Sequence, residues 1–539
     1  MLKRFLNYTF LCCISSQLFA QNFTEILGRP TNTSITMSVL FDANTDVYWE
    51  YGTETGKYTN KTGTYKLATN TPQEIDFNDL KPNTKYFYRM GYKSGTSTSF
   101  VMGLEHTFQM PRPGGNTFSF AVEADPHLDE NSVPESLTLT MKNMLAKKVD
   151  FMVDLGDNFM NDKLTVKSQE EITKRTALFR PYFGTLCHSA PLFLVLGNHE
   201  GEYSFVPNNT PTSMPVLATI TRKLFYPNPS PNNFYTGSEV AEPLVGLREN
   251  YYAFAWGDAQ FIILDPYWYT VKKGDWGWTL GKTQYDWLKK TLSESKSKFK
   301  FLFAHQLIGG GGTEARGGSE VAHLFELGGK NADGSYGFDT NRPNWGKPVH
   351  ELLKEYKATI FFHGHDHFYG KQDKEGIVYQ EVPQPSARNI ASVTGLEYGY
   401  IDGVLLASRG FLLVTVSPEN VKVDYVKTFL PSEENNTRKN MDVAHSYTIT
   451  PNVVTGLKEI AEKEYVKIYP NTAKDYLKVE FLEKMTNYKI RLANMKGQIV
   501  SETYENDEID VSNLPNGVYL LNIVNEKYQF NRKIVVNHE

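Results

Sequence analysis

Cysteine is nearly missing from this chain. Of three cysteines in 539 residues, Cys12 and Cys13 sit in the first apolar stretch, and only Cys187 lies beyond it. A chain that loses that stretch can form no internal disulfide, so core packing must hold it, with bound metal as a further support. Positive charge is not in excess either: the formal net charge is -5, so no nucleic-acid binding is expected. After the first residues no apolar run is long enough to cross a bilayer, so no transmembrane segment is expected in the mature chain.

The N-terminus carries Lys3 and Arg4, an apolar run, and Leu18-Phe19-Ala20 before Gln21. This order reads as a secretory signal peptide over residues 1–20, cut after Ala20. The remaining length is too great for one hydrophobic core, so two to four domains are expected. Aromatic residues make up 13%, which favours β-rich architecture.

Residues 21–112 read as a β-sandwich. Ile35, Met37 and Val39 alternate with polar residues, as do Ile75 with Phe77 and Tyr86, Tyr88 with Met90; period two marks strands with one covered face. The stretch Leu80-Lys81-Pro82-Asn83-Thr84-Lys85-Tyr86 resembles a fibronectin type III domain, in which a Leu and a Tyr pin the last strands. No cluster of chemistry-bearing residues occurs in it. Pro111–Gly115 reads as a linker.

Residues 115–450 change character. Short apolar runs alternate with helical stretches, the pattern of an α/β layered fold. Ser132-x-x-Glu135 is a capping box that would open a helix carrying Leu137, Met141 and Met144. Thr283 is expected to begin another helix, burying Trp287 and Leu288. The ends of the apolar runs carry the information. Phe118–Val122 runs into Asp125-Pro126-His127, Phe151–Val153 into Gly156-Asp157-Asn158, and Leu192–Leu196 into Gly197-Asn198-His199-Glu200. Phe299–Phe303 runs into Ala304-His305, and Thr359–Phe362 into His363-Gly364-His365-Asp366-His367. Ligands of α/β sheets bind beyond the carboxyl ends of strands, so five such ends point to one shared site. A sixth run ends in Asp265, which reads as a turn or supporting residue. The loop Ile308–Asn344 opens with Gly309–Gly312 and leaves a strand that ends in a candidate ligand, so it is placed to cover the site. Arg316 within it is a candidate contact for a substrate oxygen.

Asp, Asn and His donors without thiolates suit Zn, Mn, Fe, Ni or Mg. The set is too large for one tetrahedral ion and right for two ions that share a carboxylate. Two ions clamp the attacking and leaving oxygens of an in-line displacement and generate a hydroxide nucleophile; phosphoester hydrolysis is the reaction that most needs this. The ordered blocks Asp-x-His, Gly-Asp-Asn, Gly-Asn-His-Glu, His and Gly-His-x-His resemble the calcineurin-like metallophosphoesterase superfamily. The resemblance implies an α/β sandwich core, here flanked by two all-β sandwich domains, holding two divalent or trivalent ions (Fe, Zn, Mn or similar). It places Asp125, His127, Asp157 and His367 on one ion, and Asp157, Asn198, His305 and His365 on the other. His199 would be catalytic rather than a ligand, protonating the leaving oxygen or stabilising the transition state. Glu200 reads either as the group that orients His199 or as a structural residue. A β-domain before such a core resembles purple acid phosphatases. Those enzymes carry Asp-x-Gly and a metal-binding Tyr three residues after the bridging Asp, whereas positions 127 and 160 here are His and Met; the iron–tyrosinate colour should be absent.

Residues 460–539 form a third segment. Val466-Lys467-Ile468-Tyr469-Pro470-Asn471, Leu514-Pro515-Asn516-Gly517-Val518-Tyr519 and Lys533-Ile534-Val535-Val536 resemble the C-terminal sorting domain of the type IX secretion system. The resemblance implies handling by that machinery, and a secreted or outer-surface location in a Gram-negative bacterium. The expectation is an exported dimetal phosphoesterase acting on monoesters of small molecules. The alternatives are a phosphodiesterase or phosphotriesterase on the same site, and a non-catalytic surface-binding protein.

Overall fold

The computed structural model describes residues 23–95, 97–451, 458–459, 466–470, 472–482, 486, 488–494, 498–524 and 528–538. The expected signal peptide, with Cys12 and Cys13, lies outside the described residues. Two compact units divide at Pro451.

Unit 1 is built on two facing sheets. The first has nine strands. Phe118–Glu123, Phe151–Asp154 and Leu192–Leu194 run parallel at its centre, and Gly410–Val416 and Val421–Lys427 extend one side. The second has eight strands, with Ala259–Ile263, Phe299–Phe303 and Ile360–His363 parallel at its centre. The apolar runs are nearly continuous, broken at Ser119 and Lys300, because both faces of each sheet are covered. Phe120 and Val122 point between the sheets while Ala121 points to the outer helices. Phe301 and Phe303 likewise face inward, and Leu302 outward. Phe120 stacks on Phe151 at 5.2 Å and meets the edge of Phe261 at 5.1 Å. Burying each such ring stabilises the fold by about 1.5–3 kcal/mol. Helices Pro134–Ala146 and Arg180–Cys187 cover one outer face, and Gly281–Glu294 and Val349–Glu355 the other.

Two local expectations need correction. The helix after the first motif starts at Pro134 with Val133 as its N-cap and no side-chain cap. Ser132 donates instead to the Asp129 carboxylate and the Pro126 carbonyl, because that loop has its own acceptors to satisfy. The helix around Thr283 begins at Gly281 and buries Leu288, but Trp287 stays half-buried, its ring 4.9 Å from Tyr251.

The N-terminal strands do not stand apart from this sheet. Phe23–Gly28 pairs parallel to Leu192–Leu194 through Gly28 and Leu192, and carries Ile35–Phe41 and Gln73–Phe77 beyond it. A second sheet, centred on Thr45–Gly52 and Lys85–Ser94, packs Trp49, Tyr86 and Tyr88 against Met37, Val39 and Phe77. Leu80 and Tyr86 are buried, and the Tyr86 hydroxyl accepts the Lys81 N–H at 2.9 Å. Among the described residues no helix is long and apolar enough to cross a membrane.

Unit 2 is all β. Strands Lys489–Asn494, Gly517–Val524 and Tyr528–Val536 form the centre of one sheet, and Val466–Tyr469, Tyr476–Phe481 and Glu508–Asp510 form another. Ile468, Leu477, Ile490, Leu521 and Ile534 fill the space between them.

Candidate metal centre

The five motif-bearing strands come from both sheets, three from one and two from the other, and their carboxyl ends meet where the sheets face each other. Two hydrogen bonds tie the halves. The His365 N–H donates to Asp125 Oδ2 at 2.9 Å, and His305 Nδ1 donates to the Leu155 carbonyl at 2.9 Å. The backbone leaves each strand sharply. Asp125, His127, Asp157, His365 and His367 all have positive φ, between 49° and 79°. Non-glycine residues seldom adopt this region, and each costs on the order of 1–3 kcal/mol held only by its surroundings. At Gly156 and Gly197 the loops touch: a Cβ on Gly156 would meet the Gly197 backbone, 2.9 Å from its Cα.

The side chains converge. Asp125 Oδ1 lies 3.7 Å from His127 Nε2, 3.6 Å from His305 Nε2 and 3.4 Å from His367 Nε2. Asp157 Oδ2 lies 3.6 Å from His127 Nε2 and 3.0 Å from His305 Nε2, between two clusters. Those clusters are Asp125, His127 and His367, and Asp157, His305 and His365; within each, one donor atom per residue lies within 4.8 Å of the others. Asn198 is buried, and among the described residues its Oδ1 has no hydrogen-bond partner; nor have Asp125 Oδ1 and His127 Nε2. Buried acceptors left unpaired cost about 1–3 kcal/mol each. A cation among them removes that cost, and the oxygen and nitrogen donor set suits divalent ions. The field points the same way. Burial disfavours a charged His305, yet Asp157 and Asp125 outweigh it and push its pKa up to about 9.

Sequence reasoning missed the groups that aim these rings. Asp129 Oδ2 lies 3.3 Å from His127 Nδ1. The Glu314 carbonyl, in the glycine-rich loop, accepts from His365 Nε2 at 2.8 Å and leaves Nδ1 facing His305 Nε2 at 3.3 Å. Such outer partners fix which nitrogen faces a metal. His199 is oriented by Asp162, whose two carboxylate oxygens are each 2.9 Å from Nδ1. Glu200 has the structural role: its carboxylate accepts the backbone N–H groups of Gly197, Asp157 and Asn158. His199 Nε2 is 3.9 Å from Asp157 Oδ2.

Arg316 donates to the His365 carbonyl and to Asp366 Oδ1, both at 2.7 Å, and its guanidinium lies 4.4 Å from the Tyr398 ring centroid. It braces the turn between His365 and His367. Asp265 pairs with Arg248 and Asn250 and caps the turn at Tyr267. Met160, at the position of the absent tyrosine, lines a cavity with His127, His199 and His367.

Residues 118–369 match the family of calcineurin-like phosphoesterases, and residues 467–537 the secretion system C-terminal sorting domain. No curated protein matches the chain. Among solved structures, PhoD superposes with a TM-score of 0.58 at 16% identity, over 79% of this chain and 90% of that one. The purple acid phosphatase PPD1 from yellow lupin (Lupinus luteus) seeds gives a TM-score of 0.52 at 17% identity, over 79% of this chain and 74% of its own. At such identities the likeness is one of fold. The chain therefore carries a calcineurin-like phosphoesterase domain, followed by a secretion system C-terminal sorting domain.

Proposed function

We propose that this chain is an exported phosphoesterase that hydrolyses phosphate monoesters with the help of two metal ions. The convergence of Asp, Asn and His donors on Asp125 and Asp157, several of them buried acceptors without partners, carries the reading. Asp125, His127, Asp157 and His367 would hold one ion, and Asp157, Asn198, His305 and His365 the other. Bound there, the ions would neutralise charge on the phosphoryl oxygens and activate water.

The chain's own groups do the rest. His199 has Nδ1 committed to Asp162, so the proton it can give is the one on Nε2. Burial opposes charging this ring, but Asp157 and Asp162 prevail and raise its pKa. As water adds to phosphorus and the ester P–O bond breaks, His199 Nε2 donates its proton to the leaving oxygen and later regains one from solvent. Glu200 ties the Asp157 loop to its own loop by accepting the backbone N–H groups of Asp157, Asn158 and Gly197. Arg316 braces the turn that carries His365 and His367. The sorting domain supports export, to the cell surface or beyond.

The test is metal content beside turnover of 4-nitrophenyl phosphate and bis(4-nitrophenyl) phosphate. Two metals per chain with faster monoester turnover is the expected result. Faster diester turnover would move the substrate class. No metal and no turnover after reconstitution would overturn the reading. Asp157→Asn, at the shared position, should lower metal content and abolish hydrolysis in a folded protein, as read by elemental analysis and circular dichroism.

A further inference from the structure

The cavity beside His127, His199 and His367 has a volume of about 490 Å³. The rest of its lining is unlike the metal centre. Among the described residues no Phe, Tyr or Trp lines it; Asn131, Asn389, Ser392 and Thr394 do, together with two cations, Lys163 and Arg388, and with Asp129, whose carboxylate is taken by His127, the Asn131 N–H and Ser132.

Arg388 is held ready. Its backbone N–H donates to the Asn131 carbonyl, and Ser132 bridges Ala387, which sews its loop to the one after the first motif. Its Nε and Nη2 donate to the carbonyls of Glu130 and Ser132 at 3.2 and 3.0 Å. These contacts fix the guanidinium without neutralising it, and it has no ion pair among the described residues. Asn389 folds the next turn by accepting the N–H groups of Ala391 and Ser392. Lys163 stands on the other motif loop, its side chain 60% exposed and its Nζ 3.7 Å from Asp162 Oδ2. That carboxylate is already shared with His199. A lining with two cations, one of them fixed by backbone carbonyls, and with hydrogen-bonding rather than stacking groups beside them, suits an anion.

We propose that Lys163 and Arg388 select substrates whose leaving group is hydroxylated and carries a second anionic group, such as a sugar bisphosphate. The phosphoryl group to be cleaved would lie against His199, and the second anion against Lys163 and Arg388. The inference rests on the phosphoesterase reading and narrows it. Charge-assisted contacts of this kind are worth about 10- to 100-fold in discrimination.

The experiment compares kcat/KM for fructose 1,6-bisphosphate and fructose 6-phosphate in the metal-reconstituted full chain. The same pair is run with Arg388→Gln, Lys163→Gln and the double variant. The bisphosphate should be preferred at least about tenfold, and the preference should fall toward one in the double variant, whatever decrease the two substrates share. The quantity read is the ratio, so a general loss from a disturbed loop does not imitate the result, and Lys163→Gln tests the lining without touching the Arg388 turn. Calorimetric titration with both sugars should show the same loss of preference in affinity. Turnover of both substrates with no preference, or a preference unchanged in the double variant, overturns this proposal and leaves the phosphoesterase standing. Turnover of no phosphate ester, nitrophenyl phosphate included, overturns both.

Discussion

His199 and Asp162 show how much depends on one contact between residues far apart in sequence. The ring presents Nε2 toward the centre only because Asp162 takes Nδ1. His199→Ala should therefore lower kcat by about 10²- to 10⁴-fold, the range for loss of a general acid. It should spare metal content, because His199 belongs to neither donor cluster. Asp162→Asn should cost less, about 10- to 100-fold, since it keeps a polar group beside the ring but removes the charge that favours the imidazolium. Its pH–rate profile should lose activity at a lower pH on the alkaline side. An unshifted profile in Asp162→Asn would assign the carboxylate to folding alone. Glu200, though adjacent to His199, was open to either role in the sequence. On the short turn Asn198–Glu200 the two side chains take different partners, His199 the Asp162 carboxylate and Glu200 backbone N–H groups, and chain adjacency says nothing about which group orients the ring.

At the scale of elements, the site is a set of strand ends. The strands themselves are legible, since nearly continuous apolar runs of three to five residues bounded by Gly, Asp and His have few other readings. What the ends do is set by close approach. Gly156, with φ of 92°, rests against Gly197 so tightly that a side chain would strike backbone. Gly156→Ala should push the two motif loops apart, with loss of Asp157 and Asn198 from their shared geometry. The expected outcome is loss of at least one metal per chain together with a fall in melting temperature, read by elemental analysis and differential scanning calorimetry. Full metal content in that variant would show that the loops can separate without harm. The expected capping box at Ser132 was not made, because side-chain capping is a local preference of about 1 kcal/mol, and a loop that must present Asp125 and His127 can override it.

For the whole molecule, the N-terminal strands matter as an extension of the central sheet. Glu25 is buried there, donated to by Trp49 Nε1 at 2.8 Å. Burial raises its pKa from 4.5 to about 7, against the opposing effect of the Trp49 bond. A folded-state pKa above the unfolded one stabilises the protein fully below pH 4.5, and that contribution is lost as pH rises through 7. Glu25→Gln stays neutral, so its melting temperature should gain on the wild type steadily between pH 4.5 and 7, and the gain should level off above. A constant difference across that range would show that Glu25 does not titrate on unfolding. Unit 2 has its own core, and among the described residues both donor clusters are drawn from unit 1. A chain ending at Pro451 should keep the kcat/KM of the full protein within about twofold, as measured on the same nitrophenyl ester; a larger loss would give the sorting domain a part in catalysis.

Residue order alone determined a good deal: the alternation of covered strands with helices, the five motifs at strand ends, and the β character of both flanking segments. These are legible because period-two burial and the chemistry of metal donors are written locally. Only the tertiary structure decided that the motifs come from two facing sheets, that Asp162 aims the His199 ring, that the glycine-rich loop meets His365 through a carbonyl, and that Lys163 and Arg388 line one cavity. Each of these is a contact between segments tens to hundreds of residues apart. Such contacts are fixed by how the sheets pack against each other, which no local pattern encodes.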